Sequence, residues 1–316
     1  LENVNLQRTN CKAANFKNSA IANVNFQSAI LTQANLVGAC FENINFKNAI
    51  LKQVNFRNSI LKSVNLEYSN LESADLNNTD CIEVNFSNAK LKNARFKNAK
   101  FRSVCFKDTD LENANFKNAN LENASILNTN LRSSDLIQAN LKNADLSGSD
   151  LRNANLHNAN LNGAFLKKVQ INSKTNLNKK WRLLWKIVNN KCENKNLENV
   201  DLSGANLSDR SYSQDKNKHN YPLDLSLTGL DLTNFNFKNA NLKNARFKNA
   251  DLKNADLEGA NLTNADLSYV NLEGTNLTNA DLSYANLEGI NFNKNTNFKN
   301  TNLKGTKFEN SGLNRR

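Results

Sequence analysis

The chain is 316 residues long, 22% charged and 39% hydrophobic, with a formal net charge of +12, no methionine and a single proline, Pro222. No apolar run approaches the ~20 residues that span a bilayer, and one proline excludes a proline-rich linker or collagen. A mean hydropathy of −0.64 is low for a compact sphere of this size. It leaves a disordered Asn/Lys-rich chain or an elongated solenoid with a thin core.

Spacing decides between the two. Leu1, Leu6, Cys11, Phe16, Ile21 and Phe26 open a series of apolar residues five apart that runs without a miss to Leu166 and Ile171. It holds 35 positions, (171 − 1)/5 + 1, each Leu, Phe, Ile or Cys. At the bulk hydrophobic frequency such a run has a chance on the order of 10⁻¹⁴, and a disordered tract has no phase. A period of five fits neither standard element. On a helix each step of five turns ~140° past a full circle, and on a flat strand it flips successive residues to opposite faces. It fits a unit that is one side of a coil, a short extended piece plus a turn, with its centre pointing inward.

The flanks of each centre agree. Two residues before it stands a small or β-branched residue (Ala14, Ser19, Val24, Ala29), expected to face inward as well. Just before it stands mostly Asn or Asp (Asn15, Asn25, Asp75, Asp145). Two residues after it Asn or Gly dominates (Asn18, Asn23, Gly38, Asn43), the residues that most readily supply the positive φ of a type II turn. A twenty-residue superperiod overlies this. The column Cys11, Leu31, Leu51, Leu71 and onward has no Phe, whereas Phe16, Leu36, Phe56, Leu76, Phe96, Phe116 is rich in it. Four distinct sides per coil explain the difference.

Units such as ANLKN, ADLSG, ANLEG and ARFKN resemble the A(D/N)LXX consensus of pentapeptide-repeat proteins. The resemblance implies an all-β solenoid, a right-handed quadrilateral β-helix with four repeats per coil. At ~4.8 Å per coil the first 35 repeats make a rod roughly 40 Å long. Each buried Leu or Phe contributes about 1.5–3 kcal/mol, so no disulfides are needed to hold it.

The phase breaks after Ile171. Trp181, Leu184, Trp185 and Val188 then recur at i, i+3, i+4 and i+7, which predicts a helix of roughly three turns with Asn178 at its start and Asn189–Asn190 at its end. Two readings of its tryptophan face are open: it packs on the rod or caps a coil end, or Trp181 and Trp185 dock a partner. The KWRLLWKIVN interruption resembles one in cyanobacterial members of the family. Repeats return in a shifted phase at Leu197, Leu202 and Leu207, a polar loop runs to Pro222, and a long series follows from Leu232 to Phe292. Leu227 is a weaker start, and one extra residue before Phe298 reads as a bulge. The expected organisation is a β-helix over 1–171, an insert over 172–226 holding the helix, a few repeats and the loop, and a second β-helix over 227–316.

No chemistry of an enzyme is legible. His157 follows a centre and His219 lies in the polar loop, and neither has partners for a triad or a metal pair. No phosphate-binding loop, dinucleotide fingerprint or nucleophile elbow is present. No cofactor or metal is expected. Cys11 and Cys81 occupy inward centres, Cys40 and Cys105 point outward, and Cys192 is the fifth. An odd, scattered set without CxxC argues against a disulfide framework or zinc site and favours reducing, cytoplasmic surroundings. The chain opens inside a repeat without an initiator methionine, so an N-terminal extension or targeting segment is expected ahead of Leu1, and the compartment stays open.

Function then rests on the surface. Residues 1–171 hold 20 basic and 14 acidic side chains. Phe86–Lys107 carries seven cations and no acid, a belt around the rod. Lys17, Arg57, Lys97 and Lys117 share one outward position on one side, with Arg95 adjacent and Asp75 and Asp135 opposing them. That row is a candidate face for nucleic acid or an anionic membrane, without base stacking because the phenylalanines point inward. Ala20, Cys40 and Ile60 stack one coil apart, and Ile30 and Ile50 stack on the opposite side, where the repeat otherwise places Asn or Asp. The leading expectation is a non-enzymatic scaffold or protein-interaction rod with contacts at Trp181, Trp185, Ile30, Ile50 and Ile60. Exposed coil ends are a candidate route to a homo-oligomer. Protection of gyrase by imitating DNA, known in the family, requires an acidic rod and is disfavoured in a basic chain. Only the stretch Asp256–Glu288, with Asp256, Glu258, Asp266, Glu273, Asp281 and Glu288, holds carboxylates without counter-charge among them.

Overall fold

The computed structural model describes residues 1–189, 202–205, 207 and 227–308. The chain divides into two compact units, Leu1–Asn178 and Lys179–Arg316.

The first unit is a four-sided parallel β-solenoid. Residues pair with those twenty further on, as in Asn5↔Asn25, Asn10↔Ile30 and Asn15↔Asn35, so residues 1–176 make nearly nine coils. The four sides have their centres at Leu1, Ile21 and Phe41; Leu6, Phe26 and Phe46; Cys11, Leu31 and Leu51; and Phe16, Leu36 and Phe56. Centres and the residues two before them are buried throughout the interior coils. Most sides close with a bond from the N–H three residues on to the centre's carbonyl, as in Ala34 N to Leu31 O at 3.0 Å. The third residue of these turns takes positive φ, 56° at Asn18, 61° at Gln33 and 68° at Gly38. The expected type II turns are therefore present.

The recurrent Asn has two tasks beyond its φ. At the corner its amide donates to the Asn one coil earlier, Asn43 Nδ2 to Asn23 Oδ1 and Asn23 Nδ2 to Asn3 Oδ1, both at 3.1 Å. Just before the centre, Asn or Asp accepts the N–H two residues on, as Asn25 Oδ1 does from Gln27 at 3.0 Å. Glycine enters the corners where that ladder needs room: the space a Cβ of Gly38 would occupy is filled by Asn18 Oδ1.

One side departs from the turn pattern. Strands β1 (Ala20–Ala22), β2 (Cys40–Asn45), β3 (Ile60–Asn65), β4 (Asp80–Ile82) and β5 (Lys100–Arg102) form a parallel five-stranded sheet in chain order. Beyond their centres stand Val24, Ile44, Val64, Val84 and Val104, a full column of β-branched residues. The turn bond is absent after Ile21, Cys81 and Phe101, where the chain only bends. Isolated Val54 keeps its bond to Leu51 O at 3.2 Å. A whole column of stiff side chains favours extended backbone where a single one does not.

The core is columnar. Phe26 stacks on Phe46 at 5.0 Å, Phe86 on Phe106 at 4.8 Å and Phe96 on Phe116 at 4.6 Å, while neighbouring columns meet edge to face. Ring stacking therefore has the period of the coil. Where a hydroxyl replaces the small inward residue, it donates to a backbone carbonyl, as Thr129 Oγ1 does to Phe106 O at 2.6 Å. In the first coil, Leu6, Cys11 and Phe16 are half-buried and Leu1 is exposed.

The boundaries differ from those read in the sequence. The first solenoid continues past Ile171 through one six-residue side, with Asn176 bridging Asn155. Thr175 N donates to Asn172 O at 3.2 Å, Asn172 N donates to Thr175 Oγ1 at 3.1 Å, and Thr175 Oγ1 donates to Leu151 O at 3.0 Å. The second unit uses the same device. Asn293 N donates to Thr296 Oγ1 at 3.2 Å, Thr296 Oγ1 donates to Leu272 O at 2.7 Å, and Asn297 bridges Asn276. The extra residue before Phe298 is thus accommodated in a widened turn.

In the second unit, helix α1 (Lys179–Val188) ends at Asn189, whose Nδ2 donates to Trp185 O at 2.8 Å. Leu202 N donates to Asn236 O at 2.8 Å and Asn241 N to Ala205 O at 2.9 Å, so the repeats at Leu202 and Leu207 belong to the second solenoid, not to a separate insert. Pairing at twenty residues then runs from Asp231↔Asp251 to Asn271↔Asn291, and after the extra residue at twenty-one, as in Asn286↔Lys307. Leu227 is fully buried despite its weak repeat. Residue 197 and the loop expected before Pro222 lie outside the described residues.

Candidate interaction surfaces

Outward positions on the first unit align into axial rows, and charge in these rows is mostly paired between coils. At the residue just after each centre, Lys62 meets Glu42 at 2.5 Å and Lys142 meets Glu122 at 3.1 Å on the first side. Lys47 meets Glu67 at 2.8 Å on the second side. Lys52 meets Glu72 and Lys92 meets Glu112 on the third, both at 2.9 Å. The hydrogen bond to Glu67 and its charge raise the Lys47 pKa, and Lys52 lowers that of Glu72 in the same way. These pairs are solvent-exposed and add little stability. Their effect is to set a carboxylate beside these lysines on three sides.

The fourth side is different. Its row reads Lys17, Val37, Arg57, Asn77, Lys97, Lys117, Ile137, His157, with no carboxylate. Among the described residues, none of Lys17, Arg57, Lys97 and Lys117 lies in an ion pair. Arg95 does: its guanidinium meets Asp75 at 3.0 Å, with the Asp75 side chain 9% exposed. Arg95 therefore leaves the candidate basic face, and Asp75 no longer opposes it. The belt at Phe86–Lys107 is likewise partly neutralised, by Asp80 on Arg102 at 2.7 Å and Glu112 on Lys92.

The apolar columns are as expected. Ala20↔Cys40 and Cys40↔Ile60 are paired in the sheet, and Ile30 bridges Ile50. Ile30, Ile50 and Ile60 are 36%, 39% and 43% exposed. Tyr68, Tyr269 and Tyr284 are also exposed, at corner positions with positive φ, and the sequence reading did not single them out. Tyr269 donates from its hydroxyl to Glu288 at 2.9 Å, and its ring fills the space over Gly289.

Trp181 and Trp185 are not presented to solvent. They are buried with Leu184 and Ile187, while Val188 is only half-buried. Apolar burial of two large rings accounts for the stripe as packing, and a docking role would require withdrawing them from it. Lys180 lies over Trp181 at 4.9 Å and donates to Ser203 O at 2.7 Å, which ties the helix to the repeat at Leu202.

Among the described residues no group of His, Cys, Asp or Glu is placed to hold a metal ion, and no helix is long and apolar enough to cross a membrane. Cys81 is buried, and burial pushes its thiol up to about 12, whereas Cys40 is exposed. Among the described cysteines, alkylation at pH 8 is expected to modify Cys40 first and to leave Cys81 unmodified until the chain unfolds. Peptide mass spectrometry over a time course checks the order.

Pentapeptide repeats match in eight copies, over residues 1–38, 9–48, 39–78, 79–118, 224–259 and 255–293, and a pentapeptide repeat region matches 99–176. The chain belongs to the pentapeptide-repeat family. Solved structures similar to this pentapeptide-repeat protein include HetL, involved in heterocyst differentiation regulation in the cyanobacterium Nostoc sp. strain PCC 7120. HetL is 19% identical over 96% of this chain and 89% of its own, with a TM-score of 0.34. Rfr23 from the cyanobacterium Cyanothece 51142 is 34% identical over 37% of this chain and 86% of its own, with a TM-score of 0.14. QnrB1, a plasmid-mediated fluoroquinolone resistance protein, is 19% identical over 55% of this chain and 93% of its own, with a TM-score of 0.28. Scores this low leave the family assignment to the repeat match itself. No curated protein matches the chain.

Proposed function

We propose that this pentapeptide-repeat protein is a non-enzymatic scaffold, a rod that meets a protein partner through its apolar columns. The observation that carries the reading is the exposure of Ile30, Ile50 and Ile60 at positions the repeat gives to Asn or Asp. An Asn there accepts the N–H two residues on, as Asn10 does from Lys12 at 3.1 Å and Asn70 from Glu72 at 3.2 Å. Ile30 and Ile50, in the column of Asn10 and Asn70, forfeit a bond of about 0.5–1.5 kcal/mol, and all three isoleucines leave apolar surface in water. The fold gains nothing from that exchange, whereas an interface does.

The triple variant Ile30→Asn/Ile50→Asn/Ile60→Asn is expected to unfold at the same temperature as the parent or higher, and to lose a partner retained by the parent. Affinity capture from the native source, with thermal unfolding in parallel, checks both. Retention of the same proteins by both chains would remove these columns as the contact. Imitation of DNA toward a topoisomerase is less favoured still, because Glu258 and Glu273 in the acidic stretch pair with Lys238 at 2.8 Å and Lys253 at 3.5 Å.

A further inference from the structure

We infer that the fourth side of the first unit binds the phosphodiester backbone of a double-stranded nucleic acid, independently of the apolar columns. Three observations converge on it. First, Lys17, Arg57, Lys97 and Lys117 are free of ion pairs, whereas the same position on the other sides carries Glu one coil from Lys. Second, Lys97 and Lys117 are direct neighbours in the ladder, since Asn98 N donates to Lys117 O at 3.0 Å. Like charges set opposite each other on adjacent strands destabilise a sheet. On the third side Arg132 and Arg152 are neighbours in the same way, but Asp150 meets both, at 4.0 and 2.6 Å; beside Lys97 and Lys117 no carboxylate is paired.

Third, the row is straight and one side chain wide. At about 4.8 Å per coil, Lys17, Arg57 and Lys97 stand roughly 10 Å apart and the row spans about 24 Å. A linear polyanion follows such a line, while a membrane surface engages a broad basic face with apolar or aromatic side chains inserted. The sides flanking this row interleave carboxylates with their cations, as Glu72 and Glu112 do beside Lys52 and Lys92, and Phe56, Phe96 and Phe116 are buried beneath it. Recognition is therefore of phosphate and independent of base sequence.

The test uses the full chain and a labelled 30-base-pair duplex, as DNA in one arm and RNA in the other, titrated across sodium chloride. Four contacts give a slope of log K against log salt of about −3.6 on DNA, and affinity in the micromolar range at low salt. K97E/K117E is expected to weaken binding at least tenfold and to flatten the slope by about two. The single variant K97E creates an opposite-charge pair with Lys117 and is expected to unfold no earlier than the parent, which separates lost binding from lost folding. K52Q/K92Q, which removes two lysines already paired with Glu72 and Glu112, is expected to bind as the parent does. Equal weakening by K52Q/K92Q would overturn the assignment by reducing it to net charge. So would an absence of salt-sensitive binding to both duplexes at about 100 μM protein. Binding only to vesicles of phosphatidylserine and phosphatidylcholine would overturn it in favour of a membrane.

Discussion

Phe96→Ala is expected to destabilise the first unit by about 3–5 kcal/mol. Phe96 is fully buried, stacked on Phe116 at 4.6 Å with rings 5° from parallel, and meets Phe101 and Phe106 at 5.7 and 6.0 Å. The backbone around it has little freedom to collapse into the space. Phe96 N donates to Asn115 O and Leu76 N to Arg95 O, both at 2.7 Å, so the coil is held from above and below. The cavity therefore stays open and its lining loses contacts. Phe96→Leu is expected to cost less than about 1.5 kcal/mol, since Leu36, Leu76 and Leu136 already fill the same column. Denaturant unfolding of the three chains checks the ranking. Equal stability of Phe96→Ala and the parent would mean that the phenylalanine columns do not hold the rod.

Thr175→Val is expected to cost about 1–3 kcal/mol, the range for leaving buried polar groups unpaired. Thr175 is 2% exposed, and its hydroxyl serves both Leu151 O and Asn172 N. Valine keeps the shape and removes both bonds. Thr175→Ser keeps the hydroxyl and is expected to stay within about 1 kcal/mol of the parent. The widened turn at Thr296 has the same bonds, so Thr296→Val is the independent repeat of the experiment in the second unit.

That turn also shows where sequence reasoning stops. The five-residue period, the positive φ at Asn18 and Gly38 and the outward stacking of Ile30 on Ile50 are legible because each depends on spacing alone. The break after Ile171 reads as the end of the solenoid because the count of five fails there. A signal was present: Asn-Ser-Lys-Thr-Asn at 172–176 and Asn-Lys-Asn-Thr-Asn at 293–297 share Asn, Thr and Asn at the same offsets. Comparing the two breaks exposes a six-residue side. Likewise Leu202 and Leu207 pair with Asn236 and Asn241 across an insertion, which no local periodicity reveals.

Charge was harder for the same reason. Arg95 reads as part of a basic face, yet its partner Asp75 lies twenty residues earlier and only the coil register joins them. The tryptophan stripe of helix α1 has one spacing whether it is buried or displayed, so periodicity does not distinguish the two; the fold buries both Trp181 and Trp185. The opening of the turn in β1–β5 needs a whole column of Val and Ile, a property visible only after the chain is folded into rows.

Side chains twenty residues apart lie one coil apart along the first unit, and the surface rows depend on that register. Electron–electron resonance between spin labels at Lys17→Cys and Lys117→Cys, with the native cysteines replaced, measures that spacing over five coils. The predicted result is a single narrow distance between about 20 and 30 Å, from five steps of ~4.8 Å plus the labels. A broad distribution centred near 50–60 Å, the span of a flexible chain of that length at ~5–6 Å × √n, would contradict it.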